Sequence, residues 1–465
     1  MKKAILFLTV VICILGILML AACDAVTPAS ETNQQQTDQQ SGDTNNGAAS
    51  SSTTHAPAVS PEQAKANAAV AEKTAALADY TFARGAEDDA QVEAREGDAD
   101  MYIIATAEGE GESEKKLIYV YQNVPYDKDS AYRYVDVYMP TAKEKLDPET
   151  PVFLYLHGGG WVAGSRREEQ LSLMPYIAST GMVVISMEYG LWFGLNQQGD
   201  ATPLGVYGWE SMGVMKILDT VLSNEHPVSV NDMMDDITTC LTFLRDEYLP
   251  TTLGLTVSSI GIGGYSAGGH LSSLYAYKHA ADSPIPLAFL MDLVGPVKLL
   301  DENYMRLLDM LTGHLENDNG DSADLMELIT PLLSDLAAPL AGILGEEEPI
   351  DISTEEGYRH ALESISAFQP IDFLTDKSLP TIICYARQHD DIPVAEALFE
   401  CEFDDFIPIT VYQSISTKLD EVGIVHEDKL FDDLTHNSIG KDQASCKWMA
   451  ANVAAFASLY ETYTR

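Results

Sequence analysis

The segment GGYSAGGH, residues 263–270, holds a serine whose neighbours are those of a nucleophile. Gly264, Ser266 and Gly268 fit the pattern GxSxG, in which a sharp strand-to-helix turn lifts a serine hydroxyl above a sheet and admits only small flanking residues. The pattern alone is weak. Its weight comes from a second segment, FLYLHGGGWVAGS at 153–165, which sets Gly158, Gly159 and Gly160 directly behind His157 at the end of an apolar run that reads as a buried strand. Glycine weakens strands, so three in succession mark backbone that must bend sharply or come close to another group. Attack by Ser266 on an ester carbonyl would put negative charge on oxygen. Bare N–H groups at Gly159 and Gly160, with that of Ala267 at the start of the following helix, are fixed donors of the kind such a charge requires.

These residues need a scaffold that holds two loops side by side, and the chain from residue 117 onward supplies one. KLIYVYQNVPY and YRYVDVYMP read as early strands, VFLYLHG and GMVVISMEYG as two buried ones with a helix between them. DDITTCLTFLRDEYL has helical spacing, VSSIGIGGYS is a strand running into glycines, and HLSSLYAYKHA continues as a helix. PLAFLMDLVG, LPTIICYARQHD and VHEDKLFDDLTH add strands, and ASCKWMAANVAAFASLYETYT closes the chain as a helix. Alternation of this kind predicts an α/β fold, a mostly parallel sheet with helices on both faces. Ligands of such sheets bind at the carboxyl ends of the strands.

DVYMP, HGGGWVAGS, ISMEYGL and GYSAGGHLSSLYA follow one another in an order and at a spacing that resembles the α/β-hydrolase carboxylesterases of the hormone-sensitive-lipase-like and feruloyl- or acetylxylan-esterase-like groups. The resemblance covers roughly residues 117–445. It implies an oxyanion hole from Gly159, Gly160 and Ala267, and a triad in chain order Ser, Asp, His. TIICYARQHDDIPV offers Asp390 and Asp391 just beyond a strand. Family members usually carry an Asp about four residues before a Val-Pro pair, and this stretch falls one residue short. Asp390, first after the strand, is the expected acid, with Asp391 as the alternative. For the base, His436 follows the last expected strand at the catalytic edge, whereas His426 begins it at the opposite edge. His270 and His389 are expected to pack or hydrogen-bond, and His157 to shape the oxyanion loop.

The amino terminus bears on where this chemistry would occur. MKK, an apolar run and LAAC ending at Cys23 have the layout of a secretory signal over residues 1–22, and resemble a bacterial lipobox with acylation of Cys23. A plain transmembrane anchor is the alternative, since about twenty apolar residues suffice to span a bilayer. Residues 23–60 are polar and low in large apolar side chains, the composition of a disordered tether to the membrane. Residues 61–116 form an N-terminal extension, with a helix expected over PEQAKANAAVAEKTAALADY and irregular acidic chain after it.

With 71 Asp and Glu against 27 Lys and Arg, the net charge of −44 excludes a nucleic-acid partner, which needs clustered basic residues. Cys240, Cys384, Cys401 and Cys446 are widely spaced, and no metal-ligand cluster is signalled. Two insertions interrupt the hydrolase domain of residues 117–465. The first, at about 190–232, holds Trp192, Phe193, Tyr207 and Trp209, which would either line a cleft or pack the loop onto the sheet. The second, at about 297–366, reads as a helical lid. The whole predicts a lipid-anchored, extracytoplasmic serine hydrolase acting without a cofactor on small-molecule or carbohydrate esters. A peptidase or amidase on the same fold is the second reading, and a noncatalytic surface binding protein the third.

Overall fold

The computed structural model describes residues 59–77, 80–81, 101–108, 116–167, 169, 172–192, 228–305, 337–351, 354–389 and 401–460. The expected signal segment, Cys23, nearly all of the tether, Phe193, Tyr207, Trp209, Asp390 and Asp391 lie outside these residues. In chain order the elements are α1 (Pro61–Ala76), β1 (Tyr80–Thr81), β2 (Met101–Glu108), β3 (Lys116–Pro125), β4 (Tyr134–Met139), β5 (Val152–Leu156), α2 (Leu173–Ser179) and β6 (Val183–Met187). There follow α3 (Val230–Phe243), β7 (Ile260–Tyr265), α4 (Ala267–Leu274), β8 (Leu287–Leu293), α5 (Ala337–Leu344) and α6 (Glu355–Ser366). The chain ends with β9 (Thr381–Gln388), α7 (Ile409–Val422), β10 (His426–Thr435), α8 (His436–Ile439) and α9 (Gln443–Tyr460).

One sheet runs β1-β2-β3-β4-β6-β5-β7-β8-β9-β10. Pairings from β1 through β4 and on to β6 are antiparallel, and those from β6 across to β10 are parallel. The central strands are buried along their length and mostly apolar because both faces are covered. In β5, Leu154 and Leu156 join a core with Met233, Ile237 and Leu241 of α3 and Leu271 and Leu274 of α4. Phe153 and Tyr155 join the other core with Leu173 and Ile177 of α2 and Met449, Val453 and Phe456 of α9. Strand order reverses at β5, which has β6 on one side and β7 on the other. The carboxyl ends of β5 and β7 therefore meet at the switch point, where ligands of open α/β sheets bind.

The extension is more ordered than the sequence predicts. α1 forms as expected, with Ser60 accepting from Gln63 N at 3.0 Å and Pro61 at the first helical position. The Gln63 side chain donates to His426 O at 2.6 Å and accepts from His426 N at 3.0 Å, so α1 covers the start of edge strand β10. The chain read as irregular, however, contains β1 and β2, which prolong the sheet through antiparallel pairing with β3. MYIIATAE holds β-branched Ile103, Ile104 and Thr106 and finds its partner at β3. α7 was likewise not anticipated.

β8 carries a buried acid beneath the serine turn. Gly295 N donates to Asp292 Oδ1 at 3.0 Å, Asp292 Oδ2 lies 2.8 Å from the Tyr385 hydroxyl, and that hydroxyl also bonds Gly295 O. Tyr385 has one proton for two acceptors. A protonated Asp292 closes the circuit: the acid donates to the Tyr385 oxygen, and Tyr385 donates to the carbonyl. Burial pushes the Asp292 carboxyl up to about 7, opposed by the bonds that Tyr385 and Gly295 N would donate to its ionised form. Because the folded-state value is raised, ionisation of Asp292 in the unfolded chain costs the fold stability as pH rises from about 4 to about 7, by up to about 4 kcal/mol. In Asp292→Asn the amide supplies the same donor and acceptor without an ionisable proton. Its melting temperature should gain on the wild type between about pH 4.5 and about pH 8; a difference that stays constant with pH would show that Asp292 is not held neutral.

Candidate functional site

Ser266 occupies the turn between β7 and α4 with φ 54° and ψ −116°, a conformation strained for any L residue. Its N–H donates to Leu293 O at 2.8 Å and its carbonyl accepts from His270 N at 2.9 Å, so β8 and the first turn of α4 hold the strain in place. The flanking glycines are required by space. A Cβ on Gly268 would stand 2.2 Å from Leu156 O and 2.4 Å from His157 O, and one on Gly264 would stand 2.4 Å from the Gly268 carbonyl carbon.

The structure brings Ser266 and His436 together: Ser266 Oγ and His436 Nε2 are 3.0 Å apart, with both side chains buried. His436 opens α8 just past β10, and its backbone is tied to the serine turn by the Tyr265 hydroxyl, which donates to His436 O at 2.6 Å. His426, at the other end of β10, turns its Nδ1 to Ile424 O at 3.0 Å.

The acid differs from the expected one. Both carboxylate oxygens of Asp404 stand 3.2 Å from His436 Nδ1, in the place assigned from sequence to Asp390. The cause is a tight turn, bridged from Phe403 to Pro408, that folds back beneath the imidazole. Asp404 N donates to Ile407 O at 3.1 Å, Asp404 Oδ1 accepts from Ile407 N at 2.8 Å, and Asp405 takes φ 69°. His389 stacks on Phe403 at 4.1 Å, and the Phe406 ring meets His436 edge-on at 5.0 Å. Burial pushes the Asp404 carboxyl up, while the imidazole and the N–H groups of Ile407 and Phe406 pull it down. A positive charge on His436 would therefore favour the ionised carboxylate. A signal was present in the sequence, since Asp404 stands four residues before Pro408 in DDFIP, the spacing that DDIPV misses.

The glycine loop lies against the serine. An added Cβ on Gly158 would stand 2.4 Å from Tyr265 Cδ1 and 3.3 Å from Ser266 Cβ, so the Tyr265 ring leaves no room for a side chain there. Gly159, Gly160 and Trp161 have φ 107°, 61° and 63°, and Ala163 N donates to Gly159 O at 2.9 Å to close the turn. His157 does not face the serine. Its Nδ1–H donates to Gly158 O at 2.7 Å, its ring stacks on Tyr189 at 4.3 Å, and its carbonyl accepts from the Tyr189 hydroxyl at 2.9 Å. Burial lowers its pKa, with Glu188 opposing.

Behind the loop, Arg166 donates to Asp136 at 2.8 Å and to Glu188 at 3.0 Å, and Arg166 and Arg167 both donate to Asn123 Oδ1, at 2.6 and 2.7 Å. Of the insertion aromatics, Trp192 is buried in the core and donates its N–H to Trp161 O at 2.8 Å. Cys240, Cys384, Cys401 and Cys446 are free thiols, and among the described residues no group of three His, Cys, Asp or Glu is placed to hold a metal. Chemically, the arrangement joins a hydroxyl, a base that can accept its proton, a carboxylate that orients the base, and loop backbone within contact of the nucleophile.

No family model matches the chain. A truncated carbohydrate esterase from gut microbiota shares 14% identity and a TM-score of 0.46, over 73% of this chain and 96% of that one. Esterase B from Lactobacillus rhamnosis shares 16% identity and a TM-score of 0.46, over 85% and 96% of the two chains. An esterase from Pyrobaculum calidifontis shares 15% identity and a TM-score of 0.41, over 85% and 92%. The strand order, the strained serine turn after β7, and the histidine after the last strand, with its carboxylate between β9 and β10, are those of the α/β-hydrolase fold.

Proposed function

We propose that this chain is a serine hydrolase that cleaves carboxylic esters of small molecules or carbohydrates through an acyl-enzyme. The observation that carries this reading is the continuous chain Ser266 Oγ, His436 Nε2, His436 Nδ1, Asp404, with contacts of 3.0 and 3.2 Å. In the ground state His436 is neutral, its Nδ1–H donating to Asp404 and its Nε2 accepting from the serine. Ser266 attacks the ester carbonyl while Nε2 takes the hydroxyl proton. The imidazolium that forms is stabilised by Asp404, which keeps its charge. Negative charge collects on the former carbonyl oxygen, and Gly159, Gly160 and Ala267 N–H groups are assigned to it. Collapse of the tetrahedral intermediate expels the alcohol, protonated by Nε2, and leaves an acyl-serine. Water then enters, gives a proton to Nε2, attacks the acyl carbon, and the serine leaves with that proton restored.

The same proposal places the enzyme outside the cytoplasm on a lipid anchor at Cys23, supported by LAAC and the polar tether that follows. Mass spectrometry of the mature protein should find a diacylglyceryl Cys23 at its amino terminus, and Cys23→Ala should abolish that modification. Membrane-bound protein still beginning at Met1 would instead indicate a transmembrane anchor.

Activity on aryl esters with fold-matched variants tests the triad. A serine-directed organophosphonate should label Ser266, and Ser266→Ala should lose on the order of 10⁶ in kcat. Asp404→Asn should lose on the order of 10⁴. Asp390→Asn and Asp391→Asn should stay within about twofold of wild type, because a side chain outside the triad leaves the base's tautomer untouched. Wild-type behaviour in Asp404→Asn together with a collapse in Asp390→Asn would return the acid to Asp390. Labelling at another serine would overturn the site.

A further inference from the structure

The Gly159–Gly160–Trp161 turn strings together three successive left-handed residues, and the third is a tryptophan, a bulky residue for which that conformation is an outlier. Such a backbone persists only where its surroundings hold it. One grip comes from the backbone, where Trp192 N donates to Trp161 O at 2.8 Å. The other comes from a side chain. The Trp161 indole Nε1–H donates to His270 Nδ1 at 3.3 Å, with the two rings edge to face at 5.1 Å. On its far side His270 Nε2–H donates to Phe368 O at 2.8 Å. The backbone carbonyl can only accept, so it fixes the proton on Nε2 and leaves Nδ1 as the acceptor that the indole needs.

His270 is fully buried, and its pKa is lowered to about 4 by burial, against the Phe368 carbonyl, so the ring is neutral over the ordinary range. Its place in the chain gives this contact its consequence. His270 lies one helical turn beyond Ser266 and donates its own N–H to Ser266 O at 2.9 Å. The helix turn that carries the nucleophile thus also carries the side chain that holds the glycine loop.

Resting on the ester-hydrolysis reading above, we propose that His270 is a positioning residue: through Trp161 it fixes the Gly159–Gly160 turn in register with Ser266, so that loop and nucleophile move as one unit. Its contribution falls on the transition state, where charge develops on the oxyanion, and leaves substrate binding nearly unchanged.

Three substitutions separate the two hydrogen bonds. Asn places an oxygen where Nδ1 was and keeps the acceptor for Trp161, Gln places its amide nitrogen where Nε2 was and keeps only the bond to Phe368, and Trp161→Phe keeps the ring but removes the donor. With full-length protein and an aryl ester, Trp161→Phe and His270→Gln should each lower kcat by about 30-fold with KM within about twofold, a fraction of the 10²–10³ lost when an oxyanion donor is removed outright. Both should slow phosphonate labelling of Ser266 by a similar factor, and the double variant should be no worse than either single one. His270→Asn should stay within about threefold of wild type. Unchanged kcat in Trp161→Phe and His270→Gln, additive losses, or equal damage in His270→Asn and His270→Gln would overturn the proposal. Should His270→Gln fail to fold, Trp161→Phe and its labelling rate still decide. A wild-type protein that neither hydrolyses esters nor labels at Ser266 would instead remove the esterase reading, and this inference with it.

Discussion

The site depends on one close approach of backbone to backbone, between the end of β5 and the first turn of α4. Room for a Cβ is absent at Gly268, where it would meet the carbonyls of Leu156 and His157, and at Gly264, where it would meet Gly268 itself. With hydrogen at both positions, α4 sits directly on the strand end, and the loop that leaves β5 is pressed against the turn that leaves β7. The Leu156–Gly264 register of the two strands sets the height of this contact. Everything catalytic is referred to it. Ser266 is strained over the edge, Gly158 leaves no room for a side chain against Tyr265, and the His270 ring projects from the same helix turn to hold Trp161.

Charge is handled by pairing within this frame. The chain is strongly acidic, yet the polar groups behind the glycine loop form a closed set in which Arg166 is shared by Asp136, Glu188 and Asn123. A buried cation with that many partners is costly to disturb, because loss of one partner leaves a charge uncompensated. At the triad the Asp404 carboxylate faces the imidazole, with backbone N–H groups from Ile407 and Phe406 supporting it. Asp292, on β8, is tied to Tyr385 and Gly295, and burial raises its carboxyl to about 7.

Much of this was legible because the constraints are local. Apolar runs such as VFLYL and VVISM report strands buried on both faces, and glycines flanking Ser266 report a turn with no space for side chains. His436 was legible from topology, since only the carboxyl end of β10 reaches the site. The acid was harder to read. The chain between β9 and β10 contains two Asp-Asp pairs, each followed by an Ile-Pro, and choosing between them requires the turn from Phe403 to Pro408 that no periodicity announces. Strand β2 escaped notice for a related reason: MYIIATAE lies among acidic residues, and what makes it a strand is pairing with β3.

Proton NMR of His436 separates the two acids without relying on turnover. In uniformly ¹⁵N-labelled protein, an Nδ1–H held by a buried carboxylate should give a far-downfield resonance coupled to the His436 ring nitrogen. That signal should persist in Ser266→Ala, Asp390→Asn and Asp391→Asn, and should be lost or moved well upfield in Asp404→Asn. A resonance that survives Asp404→Asn and disappears in Asp390→Asn would contradict the assignment of Asp404 as the residue that orients the base.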